Sequence, residues 1–246
     1  MTSGLPVCHH ETQPELRDAM NNASTTRFDS DLSKVHHFGR FPQMLPYVGP
    51  DYESPTHVRM LLVGESNYFP KSSLVHKESR SWYEKSQADI TPEEEAYINC
   101  RGLLECDWKA PGHKIYRELN ACLALLELPC TDRPVSHVAY MNAFQRPAAV
   151  PGSTFKHCCT DIDVEIGLET LKSTVAIIDA EVVVFVSKYA WDKIGKRVRN
   201  EQVSGYYDYV SHPADPFHWN KPSYKHGKSK FVDLLRSRFI KIPNSL

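Results

Sequence analysis

Three short polar clusters in this chain have the residue types of a reactive site. Gly64-Glu65-Ser66-Asn67-Tyr68 sets a carboxylate, a hydroxyl and an amide side by side. Tyr140-Met141-Asn142 ends an apolar run in an amide, with Arg146-Pro147 close behind, and Ser211-His212-Pro213-Ala214-Asp215 supplies an imidazole. A carboxylate takes up a proton or stabilises a cation. An amide presents a donor beside an acceptor, and an imidazole moves protons near neutral pH. Each cluster taken singly also suits an ordinary loop: Glu65 as a helix cap, Asn142 as a bridge between loops, His212 as a turn residue.

The elements that must carry these clusters follow from hydropathy patterning. Strands are predicted over Val58–Val63, Val135–Met141, Glu181–Val186 and Tyr206–Val210, and three of them end at the polar clusters. Helices are predicted over 114–128, 161–178, 189–199 and 224–239, from the spacing of their apolar residues. Thr91-Pro92-Glu93-Glu94-Glu95 is a helix start inside a long polar insert, 71–112. Prolines between Phe28 and Pro55 forbid long regular elements there. Residues 1–25 read as a flexible arm, and 26–246 as a single domain. Alternating strands and helices predict an α/β protein, a three-layer α/β/α sandwich with a mainly parallel sheet. Its ligand site is expected where the strands end at their carboxyl side.

The net charge of −1 argues against a basic coat over the whole surface. From Lys188 onward there are 12 Lys and Arg against 5 Asp and Glu, or +7, which leaves 17 against 25, or −8, for the rest. A basic C-terminal third is either a one-sided electrostatic footprint or a solvated helix face. No apolar run approaches the length of a membrane span, and no secretory leader is recognised at the N-terminus. Seven cysteines, without disulfide spacing, point to a reducing cytoplasm. Cys100, Cys106, His157, Cys158 and Cys159 lack a C-x-x-C pair, so no metal is expected. Trp82 and Tyr83 are expected to pack an amphipathic face rather than to stack on bases.

In order and content the three clusters resemble the uracil-DNA glycosylase superfamily, over roughly residues 58–238. Gly64-Glu65-Ser66-Asn67-Tyr68 is similar to its first motif, Met141-Asn142 with Arg146-Pro147 to its middle motif, and His212-Pro213-Ala214 to its His-Pro-Ser loop. The resemblance implies a protein that flips uracil or a related base out of DNA and hydrolyses its N-glycosidic bond. Glu65 would act on the attacking water or the sugar cation, and His212 on the departing base. Gly64, Ser66, Tyr68 and Asn142 would bind the base, with Asn142 reading its edge. Arg146, Pro213, Lys225, Lys228 and Lys230 would contact DNA, and Phe217 would wedge into the vacated stack. The implied protein is a monomer acting on DNA, single-stranded DNA included, and needs no cofactor. No paired cysteines precede the first motif, so no iron–sulphur cluster is expected.

Departures leave two other readings open. Ser66 stands where one branch has an acid, Asn67 where a Pro is usual, and Ala214 where a Ser follows His-Pro. These fit a member of the fold that binds nucleic acid or nucleotide with lost or altered activity. Alternatively, Gly64-Glu65-Ser66 approximates the Gly-Asp-Ser block of SGNH-type esterases. Ser66 would then be the nucleophile, Asn142 the oxyanion donor, and Asp215 with His218 the base pair.

Overall fold

In the computed structural model, residues 23–69, 72–75, 77–129, 133–148, 155–221 and 225–241 are described. The arm expected at 1–25 lies outside them except for its last residues. Of these, Ser24 donates its N–H to Glu105 and Thr25 donates to the Val48 carbonyl.

The chain is α/β, built on one five-stranded sheet: β1 (Tyr47–Val48), β2 (Met60–Gly64), β3 (Ala139–Asn142), β4 (Val182–Phe185) and β5 (Tyr206–Tyr209). Their spatial order is β1-β3-β2-β4-β5; β1 is antiparallel to β3 and the other pairs are parallel. As expected of a proline-rich segment, no long regular element forms among the described residues before β2, and β1 is only two residues at the sheet edge.

Every residue of β2 is buried, as a strand covered on both faces requires. Period-2 alternation sends Leu61, Val63, Met141, Val183 and Phe185 into one apolar cluster, with Leu168, Leu171 and Trp191. Met60, Leu62, Tyr140, Val182 and Val184 enter a second cluster with Leu119, Leu123, Phe231 and Leu235. Helices therefore cover both sides. On the first face lies Asp161–Ile177, started by a Thr160–Asp163 capping box. On the second lie Lys114–Leu123 and Lys228–Leu234.

Among its described residues the insert forms three short α-helices, Ser79–Tyr83, Pro92–Ile98 and Cys100–Glu105, and a 3-10 turn, Gln87–Asp89. Thr91 caps the second as its sequence predicts, accepting from the Glu94 N–H. Trp82 is fully buried, stacks on Phe41 at 4.7 Å and donates its indole N–H to the Gln145 carbonyl. It packs the core, as expected.

The parallel strands place the chain's order where it can form a site. From β2 the chain crosses to β3 on one side, then returns over β2 to β4 on the other. Such a reversal opens a crevice beyond the carboxyl ends of the two diverging strands. By that rule a ligand crevice is expected beyond Gly64 and Phe185.

Candidate functional site at the strand ends

The β2 and β3 extensions remain side by side after the sheet ends. The N–H of Ala143 donates to Gly64, that of Phe144 to Glu65, and that of Ala148 to Asn67. Gly64 and Asn142 are register partners. A β-carbon at position 64 would collide with the Tyr140 hydroxyl and with Asn142 Oδ1. Glycine is thus required by the close approach of the amide, not by a turn.

Asn142 is buried and held from both ends. Its Nδ2 donates to Asn67 Oδ1 at 2.8 Å, and the Tyr140 hydroxyl donates to its Oδ1 at 3.3 Å. Each end keeps one further hydrogen-bonding position, a proton on Nδ2 and a lone pair on Oδ1. Asn67, which departs from the first motif, is itself buried and is the residue that orients Asn142.

Glu65 sits one residue beyond β2, partly buried. The Ser187 hydroxyl donates to its Oε2 at 2.6 Å, and the Phe155 backbone N–H donates to its Oε1 at 2.8 Å. Neither partner was anticipated. Ser187 had a legible signal, because it ends a fourth parallel strand, whereas a backbone donor such as Phe155 leaves none in the sequence. Burial, then the Glu65 charge, pushes the Tyr68 hydroxyl pKa above its ordinary value. The Ser66 hydroxyl oxygen is buried and has no hydrogen-bond partner among the described residues.

His212 follows β5 and is partly buried. Its Nδ1 accepts from the Ala214 N–H at 3.2 Å, which leaves the ring proton of the neutral form on Nε2. Burial lowers its pKa, while Glu65 and Asp215 pull it upward. The lowering wins, so the ring is neutral at pH 7 and Nε2–H is a donor. The influence of Glu65 on both Tyr68 and His212 ties the first and third clusters to one electrostatic neighbourhood.

The expected DNA contacts divide. Phe217 is 78% exposed, and its loop is held by Asp215, which accepts from the Phe217 and His218 N–H groups. Lys225 is exposed, whereas Pro213 is buried. Lys228 is half-exposed and reaches Glu118 at 3.4 Å. Besides Pro213, two charged residues are corrected. Lys230 pairs with Asp208 at 2.6 Å and donates to the Tyr209 carbonyl. Arg146 is 1% exposed and grips the fully buried Asp163 with two hydrogen bonds, Nε to Oδ1 at 2.6 Å and Nη2 to Oδ2 at 2.9 Å. It also donates to the carbonyls of Lys77 and Cys158. Arg146 is a buried clamp and is not accessible to a phosphate.

The esterase arrangement is half assembled. His218 Nδ1 meets Asp215 Oδ2 at 2.6 Å, on the surface. Ser66 Oγ, however, bonds to no described imidazole. Among the described residues no group of three His, Cys, Asp or Glu side chains could hold a metal ion, and no helix is long and apolar enough to cross a membrane.

No protein-family model matches this chain, and no curated protein matches it.

Proposed function

We propose that the protein is a uracil-DNA glycosylase-like enzyme of three-layer α/β/α architecture, which hydrolyses the N-glycosidic bond of an extruded uracil or related base. One observation carries the reading. The Glu65 carboxylate, held by the Ser187 hydroxyl and the Phe155 N–H, stands just past the carboxyl end of β2 and acts electrostatically on His212, whose neutral ring carries its N–H on Nε2.

In this reading Asn142, fixed by Asn67 and Tyr140, offers its remaining proton and lone pair to the edge of the base. As the bond from sugar carbon to base nitrogen breaks, its electron pair moves onto the base. His212 Nε2–H donates to the base oxygen where that charge gathers. Water forms the new bond to the sugar carbon and gives its proton to Glu65. Phe217 fills the gap in the stack, and Lys225 and Lys228 meet phosphates. Arg146 and Lys230 have no part in DNA contact.

The test is cleavage of uracil-containing oligonucleotides, single-stranded and U:G-paired, with a hypoxanthine substrate alongside. Glu65→Gln, Asn142→Ala and His212→Ala should each lower the rate by about 100-fold or more, the usual scale for a general base or a preorganised donor. An unmutated protein that binds DNA and leaves all three substrates uncut refutes the reading. It would favour a binding module on the same scaffold.

A further inference from the structure

We propose that Ser187 positions Glu65: its hydroxyl proton is committed to the carboxylate because its oxygen is already engaged in capping a helix. The inference rests on the reading of Glu65 as the working carboxylate.

The strand register brings the two residues together. Val63 of β2 pairs with Phe185 of β4, and the Val186 N–H donates to the Val63 carbonyl. Two residues further along each strand stand Glu65 and Ser187, in direct hydrogen-bond contact. Ser187 is 2% exposed, so no bulk water competes for its hydroxyl.

Ser187 is also the N-cap of the helical turn Lys188–Ala190, and its Oγ accepts from the Ala190 N–H at 3.2 Å. A serine hydroxyl has a single proton. With Ala190 occupying a lone pair, that proton is directed to Glu65 Oε2, giving a short bond of 2.6 Å to a charged acceptor. The Phe155 N–H secures the other oxygen. Together the two donors hold one oxygen each of the carboxylate.

Amide hydrogen exchange in the full chain separates this role from capping alone. In Ser187→Ala, exchange at both Ala190 and Phe155 should accelerate by about tenfold or more, the scale set by a hydrogen bond to a charged group. Ser187→Thr, which keeps the hydroxyl, should restore both. If Ala190 accelerates while Phe155 does not, Ser187 is only a cap and the proposal is overturned. Should S187A fail to fold, Ser187→Cys preserves the volume with a weaker donor; an unchanged Phe155 rate there overturns it equally.

In a protein that cleaves uracil oligonucleotides, S187A should lower kcat by about tenfold, again on that hydrogen-bond scale, and leave KM in place. An unchanged kcat defeats the proposal. If the unmutated protein cleaves nothing, the proposed function fails, while the exchange rates still decide what Ser187 does to Glu65.

Discussion

The guanidinium of Arg146 lies 4.6 Å from the centre of the Phe155 ring, whose other neighbour is the Phe144 ring at 4.3 Å. Phe155 is the residue whose backbone N–H holds Glu65. The buried Arg146–Asp163 pair thus forms the foundation beneath the candidate carboxylate, although neither residue touches it in the described contacts.

That foundation can be weighed. Asp163→Ala leaves a guanidinium buried without its carboxylate and should cost about 3–5 kcal/mol of unfolding free energy, measured by urea denaturation. Arg146→Lys should recover little, since an ammonium cannot reproduce the two-point grip. A loss well under about 1 kcal/mol, typical of an exposed pair, would show that the clamp does not bear on the fold.

Gly64→Ala should disable the site by displacing Asn142. The added β-carbon meets the Tyr140 hydroxyl and Asn142 Oδ1. Adding Tyr140→Phe removes the nearer of those two collisions but also the hydroxyl's bond to Asn142 Oδ1, leaving Asn67 to hold the amide. Base cleavage should therefore fall by about 100-fold or more in the single variant, a scale typical of misplaced catalytic groups, and recover partly in the double variant. Equal cleavage by all three proteins would separate Asn142 from catalysis.

Acid should destabilise the protein through His37. Burial, followed by the charges of His36 and Arg40, lowers its pKa to about 3 from the ordinary 6.5. The fold holds the neutral ring, so below pH 6.5 the unfolded chain binds a proton that the native state refuses. This contribution to stability is complete above pH 6.5 and is lost as pH falls toward 3, at up to about 1.4 kcal/mol per unit. His37→Leu should flatten the dependence of unfolding free energy on pH across that window. Parallel curves for the two proteins would refute the assignment.

Phe217→Ala should change stability by no more than about 0.5 kcal/mol, as expected for an exposed side chain. Its effect should fall on duplex substrates, where a base must be pulled from its stack, and spare single-stranded ones. A similar loss on both would remove the wedge role.

A fluorophosphonate probe should leave Ser66 unlabelled, because no described base is bonded to its hydroxyl. A covalent adduct at Ser66, detected by peptide mass, would instead establish the acyl-transfer reading.

The sequence shows much of this arrangement, and its blind spots share a cause. Val182–Phe185 and Met60–Gly64 are apolar runs that could lie only in the middle of a sheet, so the polar residues that follow them had to reach its rim. Arg146 is expected on DNA only through the resemblance of Arg146-Pro147 to the middle motif, which carries no sign of burial. Its partner Asp163 lies in the first turn of a helix, where it also caps through Thr160. Lys230 lost its expected phosphate to Asp208 in the same manner. Such pairings are set by how elements meet, and periodicity within one element does not record them. Asn67 was conspicuous only as a departure from a motif, yet its amide is what steadies Asn142.

The Asp163 carboxylate has a consequence for how the chain reaches its native form. It accepts from Arg146, from Ser79 and from Tyr83, the last two lying 84 and 80 residues earlier in sequence. Trp82, between them, finds its acceptor 63 residues downstream. On a chain emerging from its N-terminus first, the segment Ser79–Tyr83 is made with Phe41, Phe69 and Arg40 already present but before its downstream partners exist. Its anchoring to Gln145 and Asp163 must wait until the helix beginning at Asp161 has been synthesised, so this insert is among the last parts to settle and a place where a stalled chain would aggregate.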